Sequence, residues 1–214
     1  MKTLQPAWIS ATLSLISLVV VGVTAVVLVN RPVDGWPAYT DQEQTTVAPA
    51  GPPPKYTFAK VVNACDLVDL AAVERLSAGR SMDPMHHEIK AGRGGSLTCQ
   101  GIYQRASITF TAQLGDSREL YRLGKEQTAT TGSGRSSGTA PEFGADTYFT
   151  LEQSTATVFG GQVNSVRTDL GVLDANLYVT IHIEVSKVDT LVTGDEILNM
   201  AKAQMKSTLE TLKS

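Results

Sequence analysis

The stretch that most restricts how this chain can fold lies near its N-terminus. No charged residue occurs between Ala7 and Val29, and the second half of that stretch, from Leu18, is almost entirely Val, Leu, Ala and Gly. A helix of this length spans the hydrocarbon core of a membrane, about 30 Å thick, at about 1.5 Å per residue. A core helix of a soluble domain would show a polar face. The sequence therefore predicts a transmembrane anchor within residues 1–30.

The residues around the apolar stretch favour an uncleaved anchor with a cytoplasmic N-terminus. Lys2 precedes the stretch, whereas Arg31 is soon followed by acidic residues, a slight positive-inside bias. A cleaved signal peptide is the alternative, because Val23-Thr24-Ala25 resembles a small-residue cleavage site. That triplet lies inside the apolar run instead of after it. We therefore expect a single-pass protein of the cell membrane, with its C-terminal domain outside the cytoplasm.

Residues 31–55 have the composition of a spacer. This segment contains six prolines interspersed with Gln, Thr, Ala and Gly, at Pro32, Pro37, Pro49, Pro52, Pro53 and Pro54. Proline-rich segments are extended and semi-rigid and cannot build a hydrophobic core. We expect an extracytoplasmic tether here, followed by one folded domain over residues 56–214.

The two cysteines indicate the redox compartment. Cys65 and Cys99 both lie beyond the predicted anchor, and the chain has no others. An even number of cysteines in an exported domain favours a disulfide. We predict that Cys65 and Cys99 are joined, with two buried free thiols as the alternative. Two distant cysteines do not supply the four closely spaced ligands of a zinc site.

Helix start signals occur early and late in the domain. Asp69 precedes apolar residues at helical spacing and Gly79 follows them, which is the pattern of an N-cap and a C′ glycine. Thr193 and Glu196 form a capping box, after which apolar residues recur at helical spacing to the end of the chain. A third, weaker helix is expected from residue 116 to about residue 127.

Alternation of apolar and polar residues predicts the strands. The clearest runs from Asn176 to Val185, and Leu97–Ala112 reads as extended with a break near Gly101. Gly160-Gly161 suits a hairpin turn. Shorter strands are expected at residues 146–151, 155–159 and 162–168. The predicted fold class is α+β, an antiparallel sheet of about five strands with helices packed mainly on one face.

The charge of the chain argues against a nucleic-acid partner. The formal net charge is −3, from 18 basic and 21 acidic residues. Such a balance creates no positive field to attract phosphates, and no run of basic residues is placed to bind them.

One string matches a catalytic motif. Gly134-Arg135-Ser136-Ser137-Gly138 fits the nucleophile elbow, in which the Ser lies on a turn between a buried strand and a helix. Polar residues precede the string and Thr139-Ala140-Pro141 follows it, so neither element is expected beside it. We predict a polar loop over residues 128–140 and no catalytic residue.

Histidine and glutamate occur in two similar strings. His86 and Glu88, like His182 and Glu184, would share one face of a strand. If the two strands were neighbours, the four side chains could bind a zinc-like ion. On a wet sheet face, however, His and Glu need no special role. We therefore predict no metal, no cofactor and no enzymatic activity.

The predicted anchor carries small hydroxyl residues along one side. Ser10, Ser14, Ser17 and Thr24 would fall within an arc of about 80° on a helix. Such a stripe allows a second transmembrane helix to approach closely and to form hydrogen bonds. The alternative is that these side chains face lipid and bond their own backbone.

The cysteine-containing segment resembles a known family. After the tether, the chain reads Asn63-Ala64-Cys65-Asp66-Leu67-Val68-Asp69, and Cys99 follows on a predicted strand. This arrangement, over residues 60–112, resembles actinobacterial cell-envelope proteins, often lipoproteins, with an extracytoplasmic domain of unknown function. The family commonly has an aromatic residue, often Trp, soon after the second Cys, and many members have a lipobox Cys. Here Gln100-Gly101-Ile102-Tyr103 follows Cys99, and no lipobox Cys is present. The resemblance implies an envelope-associated binding or assembly role.

These patterns together predict a non-enzymatic module that interacts with a membrane or envelope protein complex. One alternative is a solute- or lipid-binding domain, which requires an apolar pocket between sheet and helices. The other is a metal-dependent enzyme built on the two His-Glu strings. A closed core favours the first interpretation, a deep apolar cavity the second and convergent histidines the third.

Overall fold

The computed structural model describes residues 54–77, 79–92, 94–129, 132–144, 146–158, 161–188 and 191–214. These residues form one seven-stranded antiparallel sheet with three α-helices and two short 3-10 helices. The predicted anchor and nearly all of the tether, residues 1–53, lie outside the described residues.

The α+β class is confirmed, but the expected number of about five strands is wrong. The strands are β1 (Met85–Ala91), β2 (Gly94–Ile102), β3 (Ala106–Leu114), β4 (Arg135–Gly138), β5 (Thr147–Val158), β6 (Gly161–Asp174) and β7 (Leu177–Val188). The α-helices are α1 (Leu70–Glu74), α2 (Arg118–Thr128) and α3 (Gly194–Leu212). The 3-10 helices cover Ala64–Leu67 and Pro141–Phe143.

The strand count differs for two physical reasons. The strands that the sequence did not predict, β1 and β4, lie at the two edges of the sheet, where little side-chain surface is buried and the period-two pattern is weak. The other differences concern where strands are interrupted. The expected 97–112 strand divides into β2 and β3. The two strands expected between residues 146 and 159 form the single strand β5.

The strand order is β1-β2-β3-β7-β6-β5-β4, and every neighbouring pair is antiparallel. From β3 the chain passes through α2 to the far edge and returns strand by strand, so that β7 pairs with β3. Val158 of β5 lies opposite Gly161 of β6, which confirms the hairpin expected between these strands.

One face of the sheet, called the inner face, carries the hydrophobic core. The predicted alternation in β7 is confirmed, because Val179, Ile181, Ile183 and Val185 are fully buried there. Helix α3 packs on this face through fully buried residues, namely Ile197, Ala201 and Met205. Each fully buried aliphatic or Met side chain contributes about 1.5–3 kcal/mol. The core therefore lies between α3 and the centre of the sheet.

The predicted helix caps form. Thr193 Oγ1 accepts a hydrogen bond from Glu196 N at 3.3 Å, and Glu196 Oε2 accepts one from Thr193 N at 3.1 Å. Asp69 Oδ1 accepts a bond from Ala72 N at 2.9 Å and begins α1. Helix α1 ends at Glu74, earlier than the expected Gly79.

The predicted disulfide is also confirmed. Cys65 and Cys99 are bonded, with their Cα atoms 5.0 Å apart. Cys65 belongs to the first 3-10 helix and Cys99 to β2. The bond therefore attaches the N-terminal part of the domain to the inner face of the sheet.

Helix α2 packs on the opposite face, called the outer face, unlike α1 and α3. The ring of Tyr121 lies 5.7 Å from that of Tyr148 and 6.1 Å from that of Tyr178, between ring centres. The phenol oxygens of Tyr148 and Tyr178 are 2.8 Å apart. Gly171, opposite Tyr148 on β6, makes room for this arrangement, because a Cβ there would lie 2.3 Å from the Tyr148 ring.

Candidate interaction surface

Strand β1 forms an open edge of the sheet. Among the described residues its one strand neighbour is β2, and all seven of its residues pair in continuous register, from Met85 opposite Gln100 to Ala91 opposite Gly94. An edge strand presents unpaired backbone N–H and C=O groups, which proteins usually protect with a bulge, a proline or a very short strand. The opposite edge, β4, has only four residues. Strand β1 is longer and pairs without a bulge, although Pro84 precedes it and its inner-face side chains Glu88 and Lys90 are charged.

The inner-face side chains of β1 hold the segment that precedes the disulfide. Glu88 Oε1 accepts a hydrogen bond from Ala64 N at 2.6 Å, and His86 Nδ1 lies 3.0 Å from the same oxygen. Lys90 donates to the carbonyl oxygen of Val61. The bond from Ala64 and the neighbouring His86 lower the pKa of the Glu88 carboxyl, although desolvation opposes them. These side chains are engaged in the structure of the domain itself.

The outer-face side chains of β1 are exposed and partly apolar. Met85 is 48% and Ile89 51% exposed, and His87 lies exposed between them. Met82, just before the strand, is 47% exposed. Large apolar side chains beside the unpaired edge of a strand are characteristic of a site that pairs with another chain. We call Met82, Met85, His87, Ile89 and the backbone of β1 the edge surface.

Sequence reasoning did not identify the edge surface. The alternation of Met85, His87 and Ile89 with His86, Glu88 and Lys90 was a usable strand signal. The two apolar residues of this alternation, Met85 and Ile89, are too few to distinguish an edge strand from a polar loop. Only the strand order shows that β1 lies at an edge.

The two His-Glu strings do not converge. His86 and Glu88 lie on the inner face of β1, whereas His182 and Glu184 lie on the outer face of β7. Strands β2 and β3 separate the two. No group of three His, Cys, Asp or Glu side chains in the described part of the chain is placed to hold a metal ion. The metal interpretation required the two strands to be neighbours, and β1 and β7 are not neighbours in the sheet.

His182 instead joins a row of polar side chains across the outer face. Its Nδ1 lies 2.7 Å from Asp169 Oδ1, and Thr150 donates to Asp169 Oδ2 at 3.1 Å. Burial favours the neutral carboxyl, but the bonds from His182 and Thr150 outweigh it and lower the pKa of Asp169. A catalytic triad would also need a nucleophile bonded to the second ring nitrogen. Within the described residues, the hydrogen-bond partner of the His182 ring is Asp169 alone, so a triad is not assembled.

A groove of about 570 Å³ lies along the flank of α3. It is lined by four lysines and three acidic residues together with a few apolar side chains. Two of the lysines are paired, Lys55 with Asp174 at 2.6 Å and Lys202 with Glu142 at 2.8 Å. The groove is therefore a mixed-charge surface feature, whereas the space between α3 and the sheet is filled by buried side chains.

The string that resembles a nucleophile elbow is part of an edge strand. Residues Arg135–Gly138 form β4 and pair with β5, which corrects the expected loop over residues 128–140. The next element is the short 3-10 helix Pro141–Phe143, without the strand-turn-helix geometry of an elbow.

The candidate helix contacts of the anchor, at Ser10, Ser14, Ser17 and Thr24, lie outside the described residues. In the portion of the chain that is described, none of the helices is both long and apolar enough to span a membrane. No model of a known protein family matches the chain, and no curated protein matches its sequence.

Proposed function

We propose that this protein is a non-enzymatic interaction module that docks on a membrane or envelope protein complex through the edge surface. Residues 1–30 would hold it on the cell membrane, and residues 31–55 would separate the folded domain from the bilayer on the extracytoplasmic side. The disulfide between Cys65 and Cys99 supports an oxidising location.

The observation that carries this proposal is the seven-residue open edge of β1, with half-exposed Met85 and Ile89 on its outer face. A partner that adds a strand here would satisfy the free backbone groups of β1, and the exposed side chains would give selectivity. Burying the exposed half of a Met or Ile side chain contributes about 1 kcal/mol.

The contacts on the inner side of β1 make this edge a rigid docking element. Glu88 and Lys90 bind the segment at Ala64 and Val61, and the disulfide attaches the same segment to β2. Because β1 is already held in its extended form, it loses little conformational entropy when a partner binds.

A solute- or lipid-binding role is the second candidate, and the observation that favours it is the groove beside α3. Lys206 lines this groove without an ion pair to another described residue, whereas Lys213 lies near enough to Asp174 to lower the pKa of that carboxyl. The ligand class would be an anionic amphiphile. We place this role second because Lys55 and Lys202 are already paired with carboxylates of the domain.

The test compares two double variants of the full-length protein in its native membrane. Met85→Lys with Ile89→Lys places charges at the edge surface, and the matched control, Leu120→Lys with Leu123→Lys, makes the same change at side chains of α2 that are 42% and 40% exposed. The size of the complex extracted in mild detergent is measured by native electrophoresis.

We expect the edge variant to migrate as the isolated protein and the control to migrate like the wild type. Complexes of equal size from both variants would contradict docking at β1. Unchanged disulfide formation and thermal unfolding in both variants would show that the fold is intact.

A further inference from the structure

We propose that the partner at the edge surface is a second copy of this chain, paired antiparallel along β1 about a two-fold axis at His87. This inference rests on the proposed docking function of β1 and adds the partner and the register.

Symmetry leaves few ways for β1 to pair with itself. In a two-fold interface each residue lies opposite its symmetry mate, and directly opposite residues of antiparallel strands share a face of the sheet. The axis must therefore coincide with a residue of the strand. At least five residues of each β1 remain paired only when that residue is His87, Glu88 or Ile89.

The register centred on His87 is complementary on both faces. On the outer face it places Met85 of each copy opposite Ile89 of the other, which covers all four half-exposed apolar side chains. On the inner face it places His86 of each copy opposite Glu88 of the other. The same two residue types already lie 3.0 Å apart within one chain, so this pairing adds a favourable neighbour to each.

The register centred on Glu88 is disfavoured by charge. It places the two Glu88 carboxylates opposite each other, and His86 opposite Lys90. Like charges at directly opposed positions destabilise a strand pair. The hydrogen bond from Ala64 stabilises the ionised form of Glu88, so the repulsion between the carboxylates persists at neutral pH.

The register centred on Ile89 covers less apolar surface. It places Glu88 opposite Lys90, which is also a pair of opposite charges. It also shifts Met85 beyond the paired part of the strand. The register at Glu88 keeps Met85 and Ile89 within the paired strand but places them opposite Ala91 and His87, so only the register at His87 places Met85 and Ile89 opposite each other. The two seven-stranded sheets then form one continuous sheet with both α2 helices on the same face.

Cysteine substitution distinguishes the registers. Directly opposed residues of an antiparallel pair have Cα atoms about 4.5–5.5 Å apart, within the range of about 4.4–6.8 Å that a disulfide spans. His87→Cys, Glu88→Cys and Ile89→Cys would be introduced singly into the full-length chain and oxidised mildly in membranes. The native cysteines are bonded to each other, so the introduced thiol is the reactive one. Leu120→Cys, at a similarly exposed position of α2, serves as the control for random collisions.

We expect His87→Cys to give a disulfide-linked species of twice the monomer mass, at least tenfold more than Leu120→Cys. Strongest cross-linking at Glu88→Cys or Ile89→Cys would overturn the register. No cross-linking above the control at any of the three positions would overturn the second copy as partner. If the complex is then still lost in the Met85→Lys and Ile89→Lys variant, docking at β1 stands and the partner is a different protein. If it is not lost, the proposed function fails as well.

Discussion

Replacement of both Cys65 and Cys99 by Ala should lower the free energy of unfolding by about 4 kcal/mol. The disulfide joins residues 34 positions apart. For a loop of that length, the chain-entropy relation gives about 3.8 kcal/mol at 25 °C, because the cross-link restricts the unfolded chain. Cys99 is fully buried and Cys65 is 8% exposed, so the shortened side chains add a small packing loss.

The native contacts around the disulfide should persist in this variant. Glu88 still binds Ala64 N, and Thr208 Oγ1 still donates to Leu67 O at 2.8 Å. The change therefore acts mainly on the unfolded state, and the near-ultraviolet circular dichroism of the folded variant should match that of the wild type.

The assay is equilibrium urea unfolding of the folded domain, residues 54–214, with and without a reductant. Thermal unfolding of the same domain gives a second measurement: a domain of this size loses about 3 °C in Tm for each kcal/mol, so the variant should unfold about 12 °C lower. The reductant should destabilise the wild type by a similar amount and leave the variant unchanged. A loss below about 1 kcal/mol would refute the reasoning, because the disulfide would then not restrict the unfolded chain.

Four further substitutions test the packing and electrostatics of the domain. Gly171→Ala should cost about 2–3 kcal/mol in urea unfolding, because the new Cβ would lie 2.3 Å from the Tyr148 ring. Gly132→Ala, with no atom within 4 Å of its new Cβ, should be nearly neutral. Met205→Ala should cost about 3 kcal/mol, since the Met205 side chain of α3 is fully buried against the sheet. The lowered pKa of Asp169 implies stability that is present above about pH 4 and lost as the pH falls through its native pKa. The free energy of unfolding of Asp169→Asn should therefore fall less at acid pH than that of the wild type. The same pH dependence in both proteins would contradict the lowered pKa of Asp169.

The parts of the fold that the sequence predicts are those with a strong local or chemical signal. Strand β7 and helix α3 each place a continuous row of apolar residues in the core, so the spacing of these residues is visible in the sequence. The disulfide followed from the cysteine count and the inferred compartment. The capping box at Thr193 depends on residues only three positions apart.

The parts that the sequence did not predict depend on long-range pairing. Asp169 lies 13 residues from His182, and only the register of β6 with β7 brings them together. Strand β1 is identified as an edge only by the strand order, in which the chain leaves β3 and returns to it through β7. The edge surface is thus a property of topology, which no local pattern of residues specifies.

Position-specific photo-cross-linking tests most directly whether β1 is the docking site. A photo-reactive amino acid would replace Ile89 in the full-length protein within the cells that produce it, and Leu120 of α2 in the control. The account predicts one discrete adduct from position 89 that disappears when Met85→Lys is added, and no such adduct from position 120. Equal adducts from both positions, or an adduct at position 89 that persists with Met85→Lys, would contradict docking through the edge surface.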